Sequence, residues 1–154
     1  MKHITLLAAC VSAAFASASF AAELAPSDVV FDEYGAVAAP LTDVAGDPEN
    51  GAALFKNRKL GNCLACHVNS DMSDQGFHGE VGPPLDGVGG VWSEAELRGI
   101  LVNSKNTFDG TIMPAFYADA DDYAFRILAK FEGKSILAAQ DVEDILAYLL
   151  TLTE

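Results

Sequence analysis

The apolar positions near the end of the chain recur with the period of an α-helix. Val142, Ile145, Leu146 and Leu149 follow the i, i+3, i+4, i+7 spacing that places side chains on one helical face. The pattern predicts an amphipathic helix over residues 140–152, with its apolar face turned toward a core.

A second helix is predicted near residue 47 from its N-terminal signals. Asp47 is suited to the N-cap and Pro48 to the first helical position, and we expect the helix to end near Gly61. Gly51 and Phe55 lie four positions apart and therefore share a face. A glycine beside an aromatic ring allows another helix to cross closely there.

A third helix is predicted after Ser93. Ser93 and Glu96 have the spacing of a capping box, and the helix should continue to about Asn103 with Leu97 on its apolar face. Residues 119–133 are acidic and then apolar, which predicts a short helix or an irregular segment.

The start of the chain has the features of an export signal. Lys2 gives a basic start, and an apolar stretch of small residues follows. We predict a cleaved signal peptide over residues 1–21 and a periplasmic protein. The alternatives are a membrane anchor, for which the apolar run is short, or lipidation at Cys10.

The rest of the chain is predicted to form an N-terminal arm at residues 22–45 and one domain at residues 46–154. The arm contains prolines, glycine and acidic residues without a sustained period. Its apolar residues can pack either on this domain or on a partner subunit, and the sequence leaves both possibilities open. These residues are Val29, Val30, Phe31 and Tyr34.

The chain is strongly acidic. It contains 22 Asp and Glu against 9 Lys and Arg, which gives a formal charge of −13 at pH 7. This charge excludes nucleic acid and anionic membrane surfaces as natural partners. It permits docking to a basic face of another protein.

The strongest chemical motif is Cys63-Leu64-Ala65-Cys66-His67, which has the C-x-x-C-H pattern of covalent c-type haem attachment. Each thiol can add to one vinyl group of the porphyrin, and the next residue, His67, then lies under the iron. Zinc needs about four ligands, and no second cysteine pair exists. A thioredoxin-type redox pair does not require the histidine. We therefore predict one covalent haem c.

The segment at residues 82–90 is stiff at its prolines and then flexible. Proline has a carbonyl but no N–H, so Pro83 can accept a hydrogen bond from the far nitrogen of His67 and fix its ring. Leu85 is the candidate for packing against the haem. A plain surface turn is the alternative interpretation.

Met113 is the candidate second iron ligand. A thioether is a soft ligand that suits haem iron opposite imidazole, and Pro114 stiffens the loop behind it. The alternative is that Met113 fills the core. Met72 follows His67 too closely to reach the other haem face, and His78 is interpreted as a loop or packing residue.

These features occur in the order found in class I cytochromes c, and residues 46–152 resemble that family. The resemblance implies an all-α fold in which crossed N- and C-terminal helices surround one covalent haem. It also implies that His67 and Met113 are the axial ligands and that Cys63 and Cys66 anchor the haem.

A narrower resemblance is to the SoxX family, the small single-haem subunits of the SoxXA cytochromes of bacterial sulfur oxidation. The chain departs from it at Ala138 and Ala139, where a hydroxyl cap is expected before the last helix. We expect this departure to affect stability and not function. The matching segments are residues 61–67, 77–89, 102–105, 111–117, 131–134 and 141–144.

The SoxX resemblance implies a subunit of L-cysteine S-thiosulfotransferase. Its partner would be the haem subunit SoxA, in a heterodimer that joins thiosulfate oxidatively to a cysteine of the carrier SoxYZ. This chain would pass the released electrons to a small soluble cytochrome c. The competing hypotheses are a free electron shuttle serving a terminal oxidase and a haem sensor with a weak sixth ligand.

Overall fold

Four α-helices and four short 3-10 turns form the regular structure in residues 22–119 and 134–154, which the computed structural model describes. No strand occurs in those residues, where Glu23 and Thr42 form an isolated antiparallel bridge. The all-α prediction is therefore confirmed. The helices are α1 Pro48–Phe55, α2 Val88–Val91, α3 Glu94–Asn103 and α4 Ala139–Thr151, and the 3-10 turns are Pro26–Asp28, Cys63–Ala65, Ser70–Met72 and Ser104–Asn106.

Helix α1 begins where the sequence predicts and ends earlier. The Asp47 side chain accepts hydrogen bonds from the backbone N–H groups of Glu49 (2.9 Å) and Asn50 (3.3 Å). The predicted end near Gly61 is wrong, because the helix stops at Phe55. The side chain of Asn57 accepts from the next turn of backbone, and this local bond competes with continued helix.

Helices α1 and α4 pack in close backbone contact at Gly51. A Cβ at this position would overlap the carbonyl of Asp144, so only glycine permits the approach. The Phe55 and Tyr148 rings meet edge to face beside it, with centroids 5.5 Å apart. The predicted close crossing at the Gly51/Phe55 face is confirmed, and it joins the two ends of the domain.

Helix α3 has the predicted capping box and the predicted end at Asn103. Ser93 N–H donates to the Glu96 carboxylate (2.8 Å), and Glu96 N–H donates to Ser93 Oγ (3.4 Å). Leu97 and Leu101 are buried in the core. The signal was local, which is why the sequence located this helix well.

Helix α4 starts one residue before the predicted start, and only one of the two hydrogen bonds of a capping box is present at its N-terminus. Ala138 N–H donates to the Asp141 carboxylate (3.1 Å), but Ala138 offers no side-chain acceptor to the first turn. The missing hydroxyl leaves a backbone donor of α4 without a capping side chain.

Replacing Ala138 with serine should raise the free energy of unfolding by about 1 kcal/mol, because a serine at an extended N-cap can accept from the first turn. Urea unfolding of the haem-loaded protein measures this difference. Ala53→Ser, at an exposed position inside α1, is the matched control and should be slightly destabilising. Equal effects of the two variants would contradict the capping argument.

The arm folds on the domain. Val37 and Leu41 are fully buried, and Leu41 N–H donates to a carboxylate oxygen of Glu143 in α4 (2.8 Å). The Val37 carbonyl accepts from Arg98 Nη1 in α3 (3.1 Å). The arm thus completes the core beside α3 and α4, while the proposed boundary at residue 46 stays a prediction.

Two of the four apolar arm residues named above pack on this domain. Val29 and Phe31 are partly buried against the core. Val30 and Tyr34 are 79% and 72% exposed. Alternate residues therefore face the domain and the solvent.

Two predictions concern residues outside the described ranges. One is the signal peptide at residues 1–21. The other is the segment at residues 119–133, of which only residue 119 lies within the described ranges. Among the residues that the structure describes, no helix has the length and apolar character needed to cross a membrane.

Candidate haem site

The C-x-x-C-H motif folds as a tight turn. Asn62 has a left-handed backbone (φ 51°) and leads into the 3-10 turn Cys63–Ala65. The backbone N–H groups of Cys66 and His67 both donate to the Cys63 carbonyl, at 3.1 Å and 3.0 Å. The turn holds both cysteines and the histidine in one compact unit, as attachment to neighbouring pyrrole rings requires.

Both thiols are unpaired and half-buried. Burial raises the pKa of the Cys63 thiol to about 12. Within residues 22–119 and 134–154, no group of three or more His, Cys, Asp or Glu could hold a metal ion. Among these residues, the zinc alternative therefore lacks the ligands that it needs.

The segment at residues 79–85 runs along the motif and is tied to its backbone. Gly79 N–H donates to the Leu64 carbonyl (2.8 Å), and Gly82 N–H donates to the Cys66 carbonyl (2.8 Å). A Cβ at Gly79 would overlap the Ala65 carbonyl, and one at Gly82 would overlap the His67 ring. These two glycines allow the segment to pass directly against the histidine.

The imidazole of His67 is fixed by Pro83. Its Nδ1 lies 2.7 Å from the Pro83 carbonyl oxygen, which can only accept a hydrogen bond. Nδ1 is therefore the donor, and in the neutral imidazole Nε2 keeps its lone pair. The site fits haem c, because it combines two unpaired thiols, an oriented imidazole with an available Nε2 and a segment whose glycines allow close approach to the ring.

Leu85 lies at the end of the same segment. Its backbone N–H donates to the Val68 carbonyl (2.9 Å), and its side chain is partly buried against the core. The structure thus brings Leu85 to the motif together with Pro83. Trp92 lies farther along and meets Phe108 edge to face, with centroids 5.9 Å apart.

Met113 lies in the loop between α3 and the segment that returns to the core. Its side chain is half-buried against the core, and its backbone N–H donates to Thr111 Oγ1 (3.2 Å). The other methionine of the described residues, Met72, is only 4% exposed and belongs to the core. Of these two, Met113 is the one left partly exposed.

His78 has a structural position. Its Nδ1 accepts from Asn69 N–H (3.2 Å), and its Nε2 lies 3.1 Å from the Met72 carbonyl. Both ring nitrogens contact backbone, which confirms the interpretation of His78 as a packing residue.

Sequence reasoning missed the polar network that ties the loop after the motif to α4. Asn69 is fully buried and donates to Tyr148 Oη (2.8 Å), which in turn donates to the Asp71 carboxylate (2.7 Å). Burial and this bond to Asp71 raise the pKa of Tyr148 above its usual value. The signal was a tyrosine on an otherwise apolar helical face, which needs a polar partner when buried.

A model of the cytochrome c family matches residues 48–153 of this chain. A comparison with curated proteins gives no significant match. Among solved structures, the chain is similar to one in the crystal structure of SoxXA from P. pantotrophus, with 44% sequence identity and a TM-score of 0.79. The alignment covers 86% of this chain and 100% of the solved chain.

The comparisons confirm the predicted class I cytochrome c fold and the predicted resemblance to SoxX. The family match also implies covalent haem c, for which Cys63 and Cys66 have the expected spacing. This chain belongs to the cytochrome c family and, within it, to the SoxX cytochromes.

Proposed function

We propose that this chain is the electron-transfer subunit of a periplasmic SoxXA complex that joins thiosulfate oxidatively to a cysteine of SoxYZ. The observation that carries the proposal is the alignment with SoxXA from P. pantotrophus, at 44% identity over the whole of that chain. Residues 1–21 would direct export and then be cleaved. The mature chain would then comprise the arm at residues 22–45 and the cytochrome domain at residues 46–154.

In this proposal, Cys63 and Cys66 would anchor one haem c through thioether bonds, and His67 and Met113 would supply the two protein ligands of its iron. The haem supplies a one-electron iron couple. Pro83 holds the His67 ring with Nε2 available for the iron, which the 2.7 Å contact at Nδ1 supports. Leu85 contributes apolar packing beside the haem.

Two protein ligands leave no iron position for a sulfur substrate, so the role of this chain is to move electrons. Joining a carrier thiolate to the terminal sulfur of thiosulfate forms one S–S bond and releases two electrons. The sulfur reaction would take place on the partner SoxA, with which this chain forms a heterodimer. This chain would accept the electrons one at a time and pass them to a small soluble cytochrome c.

Reconstitution tests the proposal. The oxidised haem-loaded chain is mixed with SoxA, SoxYZ and thiosulfate, and its reduction is followed by absorption. We expect reduction only in the complete mixture, together with co-elution of this chain with SoxA. SoxYZ in which the carrier cysteine is replaced by serine is the matched control and should give no reduction.

Two results would overturn the enzyme-subunit proposal. One is a chain that elutes alone and fails to bind added SoxA. The other is the absence of thiosulfate-dependent reduction although the chain accepts electrons from a chemical reductant. Either result would favour the free electron shuttle.

A further inference from the structure

The carbonyl of Met113 is held by two side-chain donors. Ser104 Oγ donates to it at 3.0 Å, and Lys105 Nζ donates to it at 2.5 Å. Lys105 Nζ also lies 3.4 Å from the Thr111 carbonyl. Two consecutive side chains therefore donate hydrogen bonds to the backbone of the residue that is proposed to bind iron.

Both donors sit on one short element. They occupy the 3-10 turn Ser104–Asn106, which follows α3 directly. The Asn103 side chain caps this turn by accepting from Lys105 N–H (3.2 Å). Ser104 is fully buried and Lys105 is half-buried, so the Ser104 hydroxyl is shielded from solvent and the lysine partly so.

The loop that they hold has little packing of its own before Met113. Gly110 has a left-handed backbone (φ 71°), and Ile112 is 78% exposed. On the far side, Phe116 and Tyr117 donate from their backbone to the carbonyls of Leu101 and Val102. Met113 lies between the exposed part of the loop and the part whose backbone is bonded to α3. The contacts of Ser104 and Lys105 therefore set its position.

We propose that Ser104 and Lys105 are positioning residues that keep the Met113 thioether bound to the haem iron. This inference rests on the proposed ligation by Met113. Lys105 contributes the stronger contact, because a hydrogen bond from a charged donor exceeds one from a neutral hydroxyl. Loss of either donor should increase the fraction of molecules in which Met113 has left the iron.

Imidazole titration of the oxidised protein tests this role, because imidazole binds the iron only when the methionine dissociates. Lys105→Met should bind imidazole about 10- to 100-fold more tightly, the range expected for loss of a hydrogen bond from a charged donor. Ser104→Ala should give an increase of about 2- to 10-fold. The far-red charge-transfer band of methionine-ligated ferric haem should weaken in the same order.

Matched variants separate positioning from general destabilisation. Lys105→Arg keeps the charge and the donors and should restore most of the wild-type imidazole affinity. Lys56→Met makes the same replacement at an exposed position after α1 and should leave the affinity unchanged. If Lys105→Met does not mature, Ser104→Ala alone decides the matter.

Wild-type imidazole affinity in both Lys105→Met and Ser104→Ala would overturn the inference. A failure of the underlying ligation would look different. In that case the wild-type protein would itself lack the far-red band and would bind imidazole as tightly as Met113→Ala. The SoxA reconstitution is a separate measurement, so the partner proposal can fail while the positioning role stands.

Discussion

Replacing Glu143 with alanine should lower the free energy of unfolding by about 3–5 kcal/mol, the cost of breaking a buried ion pair by removing one partner. Glu143 accepts from Arg98 through both oxygens, at 2.8 Å from Nε and 3.1 Å from Nη2. The two side chains are only 7% and 3% exposed. The variant would leave a guanidinium buried without this partner and the N–H of Leu41 without its acceptor.

Two companion variants sharpen this prediction. Glu94 is the other carboxylate near Arg98, and its side chain is 61% exposed. Glu94→Ala should therefore lower the free energy of unfolding by only about 0–1 kcal/mol. Glu143→Gln keeps an acceptor for Leu41 but removes the charge, so its effect should fall between the two. Denaturant unfolding of the haem-loaded proteins gives all three values. If Glu143→Ala cost no more than Glu94→Ala, the buried pair would not hold the arm to α3 and α4.

Replacing Met113 with alanine should open the iron to external ligands. The reduced variant should bind carbon monoxide readily, whereas the reduced wild-type protein should resist it. Because a thioether raises the reduction potential, the potential should fall by on the order of 0.1 V, within the roughly 0.8 V range set by axial ligands. Carbon monoxide difference spectra and a redox titration measure the two effects.

Met72→Leu is the matched control for Met113→Ala. Met72 is 4% exposed in the core, so leucine should keep the ligand set and cost less than about 1.5 kcal/mol of stability. Ready binding of carbon monoxide by the wild-type reduced protein would show that the His67/Met113 assignment is wrong.

The sequence located those parts of the fold that depend on neighbouring residues. The start of α1 at Asp47, the capping box of α3 and the apolar face of α4 are all local patterns. The end of α1 was misplaced, because Asn57 accepts from the following backbone and competes with helix. Periodicity alone does not reveal that competition.

The long-range polar contacts could not be predicted from the sequence, for a different reason. Arg98 and Glu143 are 45 positions apart, and Asn69 and Tyr148 are 79 apart. Which buried charge meets which partner depends on how the helices pack, and composition does not fix that. The contact of Pro83 with His67 could be predicted because proline has a carbonyl and no N–H, so its backbone can only accept a hydrogen bond from the imidazole.

The packing of α1 on α4 has a consequence for how the protein matures. Asn50 Nδ2 donates to Asp144 (2.6 Å) across 94 positions of sequence, and the Cys63–His67 motif lies between these two residues. Bringing together two helices so far apart in the sequence carries the entropy cost of closing a long loop. Haem attachment needs the motif, whereas the domain needs α4 to close it. A chain ending before residue 139 would keep its attachment motif while lacking the helix that closes the domain.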